Sequence, residues 1–225
     1  YRGYLKYYNR DDYKLEKGGQ AFDDTQSIRA GFRTDWDMSS QNAFTLQGDI
    51  YYNDEEFEFA EPILTSPFTS FRREGRYLNG GNLLGRWTHL SADDEETQLQ
   101  FYYDRVVRDD GVLDHERDTF DLDFQHRFRP FERHELLWGF GYRFYQDHIR
   151  DSSVISFDPS SENYNLATFF FHDEIDLKKD LLTLIVGSKF EQNDHSGFEV
   201  QPNVRLLYTP DTVSYTHLRA HETSS

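Results

Sequence analysis

The chain has 225 residues, 29% of them charged, with a formal net charge of −17 and a mean hydropathy of −0.83. No stretch approaches the run of about 20 apolar residues that a membrane helix needs, which excludes a helical membrane protein. The acidic balance argues against nucleic acid as a partner, because phosphate binding needs clustered Lys and Arg. Since the chain has no cysteine, disulfide frameworks, thiolate metal sites and cysteine nucleophiles are excluded as well.

Segments with a period of two follow one another along the chain. Between residues 134 and 146, every second residue from Leu136 to Phe144 is large and apolar, and the residues between them are mostly small or polar. Such alternation is typical of a strand and not of a helix. In chain order, strands are predicted at 1–13, 28–36, 44–52, 78–90, 98–108, 119–129, 134–146, 165–177, 182–191 and 198–208.

The predicted connections tend to alternate between short and long. Brief turns follow Trp36, Leu90, Arg129 and Leu177, and long polar loops are predicted at 53–77, 109–118 and 147–163. Short turns on one side and long loops on the other are typical of outer-membrane barrels. The predicted strands have about 10 to 14 residues, whereas strands of soluble sheets usually have about 5 to 6 residues. The predicted length suits tilted membrane strands.

These patterns predict an all-β, antiparallel transmembrane β-barrel, with lipid against the aromatic-rich side of each strand and water against the other. Trp36, Trp87 and Tyr208 lie near strand ends, where they fit an interfacial aromatic girdle; the alternative for each is an ordinary aromatic residue on a sheet face. The alternative is a soluble β-sandwich or propeller, which shows the same alternation.

No catalytic constellation stands out in the sequence. The histidines show no His-Glu-x-x-His spacing, and no Gly-x-Ser-x-Gly or phosphate-binding glycine loop is present, so no catalytic residue, metal site or cofactor is predicted. The candidates for ligand contact are the basic residues on the polar side of the strands: Arg29, Arg33, Arg127, Arg143 and Lys189. The alternative is that they only form ion pairs inside the barrel with neighbours such as Asp35 and Asp123.

Three consecutive strand segments carry a more specific pattern. It consists of Phe170-x-x-Asp173-Glu174, then Gly187-x-Lys189-x-Glu191, then Gln201-Pro202-x-x-Arg205-Leu206-Leu207. This succession, between about Ala167 and Pro210, resembles the barrel of TonB-dependent outer-membrane receptors. His172 departs mildly from that pattern, since glutamine is commoner at its position.

The resemblance implies a plug domain with a TonB-contacting segment, followed by a barrel of about 22 strands. Residues 1–212 are then expected to supply about 10 strands from the central part of the barrel, without the plug. The implied protein is not an enzyme. It imports a scarce nutrient, such as an iron-siderophore or cobalamin, across the outer membrane of a Gram-negative bacterium. Its expected partners are outer-membrane lipid, TonB through the plug, and the nutrient at the extracellular loops.

Two other functions share these strands. A porin or channel without a plug has the same strands and loops. An outer-membrane barrel enzyme needs catalytic residues outside this stretch. The last segment, 213–225, breaks the alternation, and Val213 to Thr223 resembles a translated sequencing adapter. We therefore expect a non-native tail there and exclude it from fold reasoning.

Overall fold

A single antiparallel sheet contains all the strands of the computed structural model. The structure describes residues 1–16, 18–91, 95–111, 113–151 and 155–210, and the backbone of 216–217. Neighbours in sequence are neighbours in the sheet throughout. The strands are β1 (Arg2–Arg10), β2 (Thr25–Asp37), β3 (Asn42–Pro62), β4 (Thr69–Leu90), β5 (Glu96–Asp109), β6 (Asp114–Phe131), β7 (His134–Arg150), β8 (Ser161–Lys178), β9 (Leu182–Asn193), β10 (Gly197–Tyr208) and β11 (Thr216–His217).

The two ends of the sheet differ in their connections. The short-turn end is where β2 joins β3, β4 joins β5, β6 joins β7 and β8 joins β9. The long-loop end is where β1 joins β2, β3 joins β4, β5 joins β6, β7 joins β8 and β9 joins β10. In the described parts of the chain, no helix is long and apolar enough to cross a membrane.

The pairing register separates two faces. The aromatic face carries one row of paired residues across β3 to β9, namely Phe44, Trp87, Leu99, Phe124, Phe140, Phe169 and Phe190. The charged face carries the alternate residues, including the five predicted basic ones. The predicted alternation is therefore confirmed strand by strand, because successive side chains point to opposite sides of a sheet.

The same row shows that the strands are staggered. It begins at Trp36, beside the first short turn, and ends at Val200, close to the start of β10 at the long-loop end. Paired residues therefore move from one end of the sheet to the other as the row crosses it. Such a stagger is what tilted strands need to close into a barrel.

The long irregular stretch predicted at 53–77 is wrong. Strand β3 continues to Pro62 and β4 starts at Thr69, so only residues 63–68 leave the hairpin. Cross-strand ion pairs hold this extension, including Glu58–Arg73 at 3.3 Å and Glu55–Arg76 at 3.6 Å. The polar composition of this stretch led to the loop prediction. A regular hairpin with water on both faces is equally polar, because neither face has to be apolar.

The other two predicted long loops are shorter for the same reason. Strand β5 extends to Asp109 and β6 starts at Asp114, while β7 extends to Arg150 and β8 starts at Ser161. The tail predicted at 213–225 lies outside the described residues except for the backbone of β11. Two residues of β11 pair with Leu207 and Tyr208 at the end of β10.

The described strands form one sheet, whereas a sandwich has a second sheet packed against the first. In the part of the chain that the structure describes, no apolar side chain is buried. On the aromatic face, Ile50 is 67% exposed and Val204 is 62% exposed. Leaving such side chains in water is unfavourable, and the described residues do not cover them.

Candidate ligand-contact face

The five predicted basic residues share the charged face, and each forms an ion pair there. The pairs are Arg29–Asp49 at 2.6 Å, Arg33–Asp35 at 2.8 Å, Arg127–Glu96 at 2.7 Å, Arg143–Asp121 at 2.8 Å and Lys189–Glu191 at 2.9 Å. The structure therefore shows the ion-pair arrangement that was the alternative for these residues. Their contact with a ligand stays a prediction.

The predicted ion-pair partners are only partly right. Asp35 binds Arg33, and the hydroxyl of Thr45 donates a second hydrogen bond to it at 2.7 Å. Arg127 and Arg143 bind other carboxylates and not Asp123. Pairing register selects the partner here, because Arg143 lies directly opposite Asp121 and cross-strand neighbours are the closest charges.

The structure adds a carboxylate site that the sequence reasoning missed, on the charged face near the long-loop end. Both Nε and Nη2 of Arg117 donate to the carboxylate of Asp147 at 2.6 Å, and Nε2 of His115 lies 2.9 Å from it. Burial opposes ionisation of Asp147, but the hydrogen bonds from Arg117 and His115 hold its pKa below the usual value. Asp147 is therefore a fixed negative charge at ordinary pH.

Stacked rings extend this site across three strands and a loop. The guanidinium of Arg117 lies 4.8 Å from the ring centroid of Tyr145. Tyr145 stacks on Tyr164 with centroids 4.8 Å apart, and Tyr164 packs against His195 at the same distance. Stacking of this kind fixes side-chain positions. We call His115, Arg117, Tyr145, Asp147, Tyr164 and His195 the loop-end cluster.

The sequence contains a pattern that predicts this cluster, but the prediction of loops at these positions prevented its use. Residues 115, 117 and 147 fell in stretches predicted as loops, although the two-residue alternation of β7 continues from Arg143 through Tyr145 to Asp147. Because Asp147 pairs with Arg117 in the register, extending the alternation by a few residues would have brought the two charges together.

A second ionic contact fixes the neighbouring loop. Asp110 is 2% exposed, and Arg108 donates to it at 2.5 and 2.8 Å. The carboxylate also accepts the backbone N–H of Leu113 at 2.7 Å and lies 3.7 Å from Nε of Arg76. Asp110 thus ties the connection between β5 and β6 to the extended part of β4.

The aromatic face is apolar over only part of each strand. Toward the long-loop end, its last rings on β5 to β7 are Tyr103, Phe120 and Phe144, with centroid distances of 4.8 and 6.4 Å between neighbours. Immediately beyond them, Arg105 binds Asp118 at 2.8 Å, and it binds Glu116 at 2.9 Å. The face therefore changes from apolar to charged within one pair of residues along the strand.

Aromatic rings also mark the short-turn end of this face. Trp36 stacks on Phe44 with centroids 5.7 Å apart, and Trp87 lies opposite Phe44 in the register. Tyr208 takes the corresponding place at the end of β10. We call the apolar zone between these two ends the apolar belt. Within the described ranges, no group of three or more His, Asp or Glu residues is arranged to hold a metal ion.

Comparisons with known proteins find likeness in structure. No protein-family profile and no curated protein matches the sequence. The fold matches FpvAI in its complex with pyocin S2, with a TM-score of 0.64, 11% identity and 93% of this chain covered. It also matches the siderophore receptors PirA of Pseudomonas aeruginosa (TM-score 0.53, 12% identity, 93% covered) and PirA of Acinetobacter baumannii (0.56, 12%, 84%).

The chain spans 35%, 42% and 32% of the length of those three structures, respectively. The sheet thus has the fold of part of the β-barrel of these structures, as the sequence predicted. Because the sequence identities are only 11–12%, the comparisons show a shared fold and nothing further.

Proposed function

We propose that the chain forms part of the barrel wall of a TonB-dependent receptor in the outer membrane. The observation that carries this proposal is the apolar belt, bounded by aromatic rings at both ends, on a staggered sheet with a receptor-barrel fold. A belt about 25 Å tall between aromatic girdles is the signature of a membrane-spanning barrel. In this arrangement the aromatic face meets lipid, and the charged face lines the interior.

The proposed orientation follows from the connections. Short turns of outer-membrane barrels lie in the periplasm and longer loops lie outside the cell. The extended β3–β4 hairpin and the loop-end cluster then face the extracellular entrance. The loops 11–24, 63–68 and 151–160 would contact a scarce nutrient such as an iron-siderophore, and the cluster would do so from the wall.

The proposed activity is transport and not catalysis. A plug domain outside this chain would contact TonB, and energy from the inner membrane would release the ligand inward. Each ion pair on the charged face joins one positive and one negative side chain, so the wall is polar there but carries little net charge. A wall of this kind suits passage of a ligand that is first bound at the extracellular loops and the loop-end cluster.

Membrane topology can be tested with the full-length protein in intact cells. Single cysteines at Phe140 on the aromatic face, Thr168 on the charged face and Glu58 on the hairpin would be treated with a water-soluble maleimide. We expect labelling of Glu58→Cys from outside and protection of Phe140→Cys until the membrane is dissolved. Equal labelling of positions 140 and 58 in intact cells would rule out the proposed membrane wall.

Transport needs its own test. A strain lacking the gene would be grown with iron supplied only as single siderophores, and uptake of labelled complex would be compared with that of the complemented strain. Loss of uptake in both the deletion and a strain without TonB supports the receptor. Uptake that persists without TonB would indicate a channel instead.

A further inference from the structure

Three histidines stand on the aromatic face near the short-turn end. His89 lies at the end of β4, His126 lies in the last third of β6, and His134 begins β7. The register places His89 and His126 on the same side as Trp87 and Trp138, and His134 on the same side as Leu136. Each of the three is partly exposed. Polar side chains are unexpected on a lipid-facing surface unless they lie at its edge.

The three histidines have the same kinds of contact. Each ring packs against an aromatic neighbour: His89 on Trp87 at 5.8 Å, His126 on Phe128 at 4.9 Å, and His134 on Phe131 at 5.7 Å between centroids. Each also uses its Nδ1 atom in one protein contact: with Asn42 at 3.0 Å, Thr97 at 2.9 Å and Asp173 at 2.8 Å, respectively. In the described part of the chain, no hydrogen bond involves Nε2 of any of them.

The partners determine which nitrogen carries the proton in two cases. Oδ1 of Asn42 accepts a hydrogen bond from Nε1 of Trp87 at 3.1 Å, and an indole N–H can only donate. That atom is therefore the amide oxygen, so Nδ1 of His89 must donate to it. The carboxylate of Asp173 likewise accepts from Nδ1 of His134. In a neutral imidazole, the other nitrogen is then an acceptor.

We propose that His89, His126 and His134 each contact the headgroup of a separate aminophospholipid in the membrane leaflet at the short-turn end. The register keeps the three apart, with His89 and His126 two strands from each other and His134 four residues from the residue opposite His126. The inference rests on the proposed membrane location. Nε2 of His89 and Nε2 of His134 are acceptors at the edge of the apolar belt, and a primary ammonium is the headgroup donor that matches them. Nε2 of His126 is a third acceptor in the tautomer in which its Nδ1 donates to the hydroxyl of Thr97. The adjoining rings of Trp87 and Phe128 add an attraction for a cation. We call His89, His126 and His134 the histidine girdle.

The charged groups around the girdle fit this choice of headgroup. Asp173 is next to His134 and leaves the site more favourable for an ammonium than for an isolated phosphate. A choline headgroup has the same charge as ethanolamine but no N–H to donate. The proposal therefore predicts a preference for phosphatidylethanolamine over phosphatidylcholine that depends on hydrogen bonding and not on charge.

The test uses the full-length protein, stripped of lipid and given equal amounts of phosphatidylethanolamine and phosphatidylcholine. Native mass spectrometry then counts the lipids that stay bound. We expect about fivefold enrichment of phosphatidylethanolamine, which is what one ordinary hydrogen bond supplies. Repeating the experiment with N-methylated and N,N-dimethylated ethanolamine lipids should lower the enrichment stepwise as N–H donors are removed. This series needs no mutant.

A triple variant, His89→Asn, His126→Asn and His134→Asn, keeps an amide nitrogen near the place of Nδ1 and removes Nε2. We expect its lipid ratio to fall to about one. The matched control is His172→Asn, a histidine of β8 on the charged face, which should leave the enrichment unchanged.

The proposal is overturned if the wild-type protein retains both lipids equally, or if it prefers the anionic phosphatidylglycerol. Folding in vesicles of phosphatidylcholine alone, read by heat-modifiable gel mobility, is measured separately. Failure to fold in vesicles contradicts the proposed membrane barrel. A protein that folds there but shows no ethanolamine preference contradicts only the histidine girdle.

Discussion

The apolar belt predicts how the position of a new charge determines its cost. Leu122 is 37% exposed on the aromatic face, between Phe120 and Phe124 and opposite Phe101 and Tyr142. In the proposed orientation it lies well inside the membrane. We expect Leu122→Arg to destabilise the folded barrel by about 2–4 kcal/mol, the cost of Arg near the midplane on a lipid-facing strand.

Two matched substitutions separate the effect of depth in the membrane from the effect of the face on which the charge lies. Gln146→Arg is also on the aromatic face but lies beyond the last rings, where Arg costs about 0–1 kcal/mol. Gln125→Arg adds the same charge to the strand that carries Leu122, on the charged face, where water is expected. We expect a cost below about 1 kcal/mol for it, which is typical of a surface substitution.

The measurement is the urea dependence of folding of the full-length protein in phosphatidylcholine vesicles, followed by heat-modifiable gel mobility. A difference of about 3 kcal/mol corresponds to a more than hundredfold change in the folding equilibrium. If Leu122→Arg costs no more than Gln125→Arg, the aromatic face does not contact lipid and the proposed wall is wrong.

Three further predictions concern the charged face and the sheet as a whole. Asp147→Asn should lower the free energy of unfolding by about 1 kcal/mol above pH 5, a small cost because Arg117, its ion-pair partner, is 43% exposed. Because folding lowers the pKa of Asp147, the wild-type protein should lose this advantage as the pH falls below about 4. A difference that stays constant across pH would contradict the ion pair. Gly139→Ala would place a Cβ against the backbone carbonyl oxygen of Phe124 and 2.7 Å from Cε1 of Phe170, and it should lower the free energy of unfolding in urea by about 1–3 kcal/mol. Gly85→Ala, whose nearest atom would be 3.7 Å away, should cost less, and equal costs would refute the packing argument. The isolated segment 1–212 should not insert stably in lipid, because unpaired backbone groups at a sheet edge cost several kcal/mol each there; a heat-resistant species in detergent would refute this.

Sequence alone determined the fold class and the assignment of residues to faces. Alternation such as Leu136, Trp138 and Phe140 against Gly139 and Gly141 depends only on strand geometry, so no tertiary information was needed. The Gln201-Pro202 and Gly187-Lys189 patterns pointed to the receptor barrel, and the structural comparisons agree with that fold.

Strand ends could not be read in the same way. The alternation stops being informative where both faces meet water, because polar side chains then occupy both. Residues 53–62 and 69–77 were thus predicted as loop although they form the extension of β3 and β4. The loop-end cluster was missed for this reason and not for lack of suitable residues.

The ion-pair partners and the stagger were decided by tertiary structure. The sequence showed that Arg143 and Lys189 lie on the polar side, but a shift of two residues in pairing would keep every face and change every partner. Local alternation is insensitive to such a shift, whereas the distances between charges on neighbouring strands are not. The sequence therefore specifies which side of the wall each residue occupies, and only the register of the assembled sheet specifies what it touches.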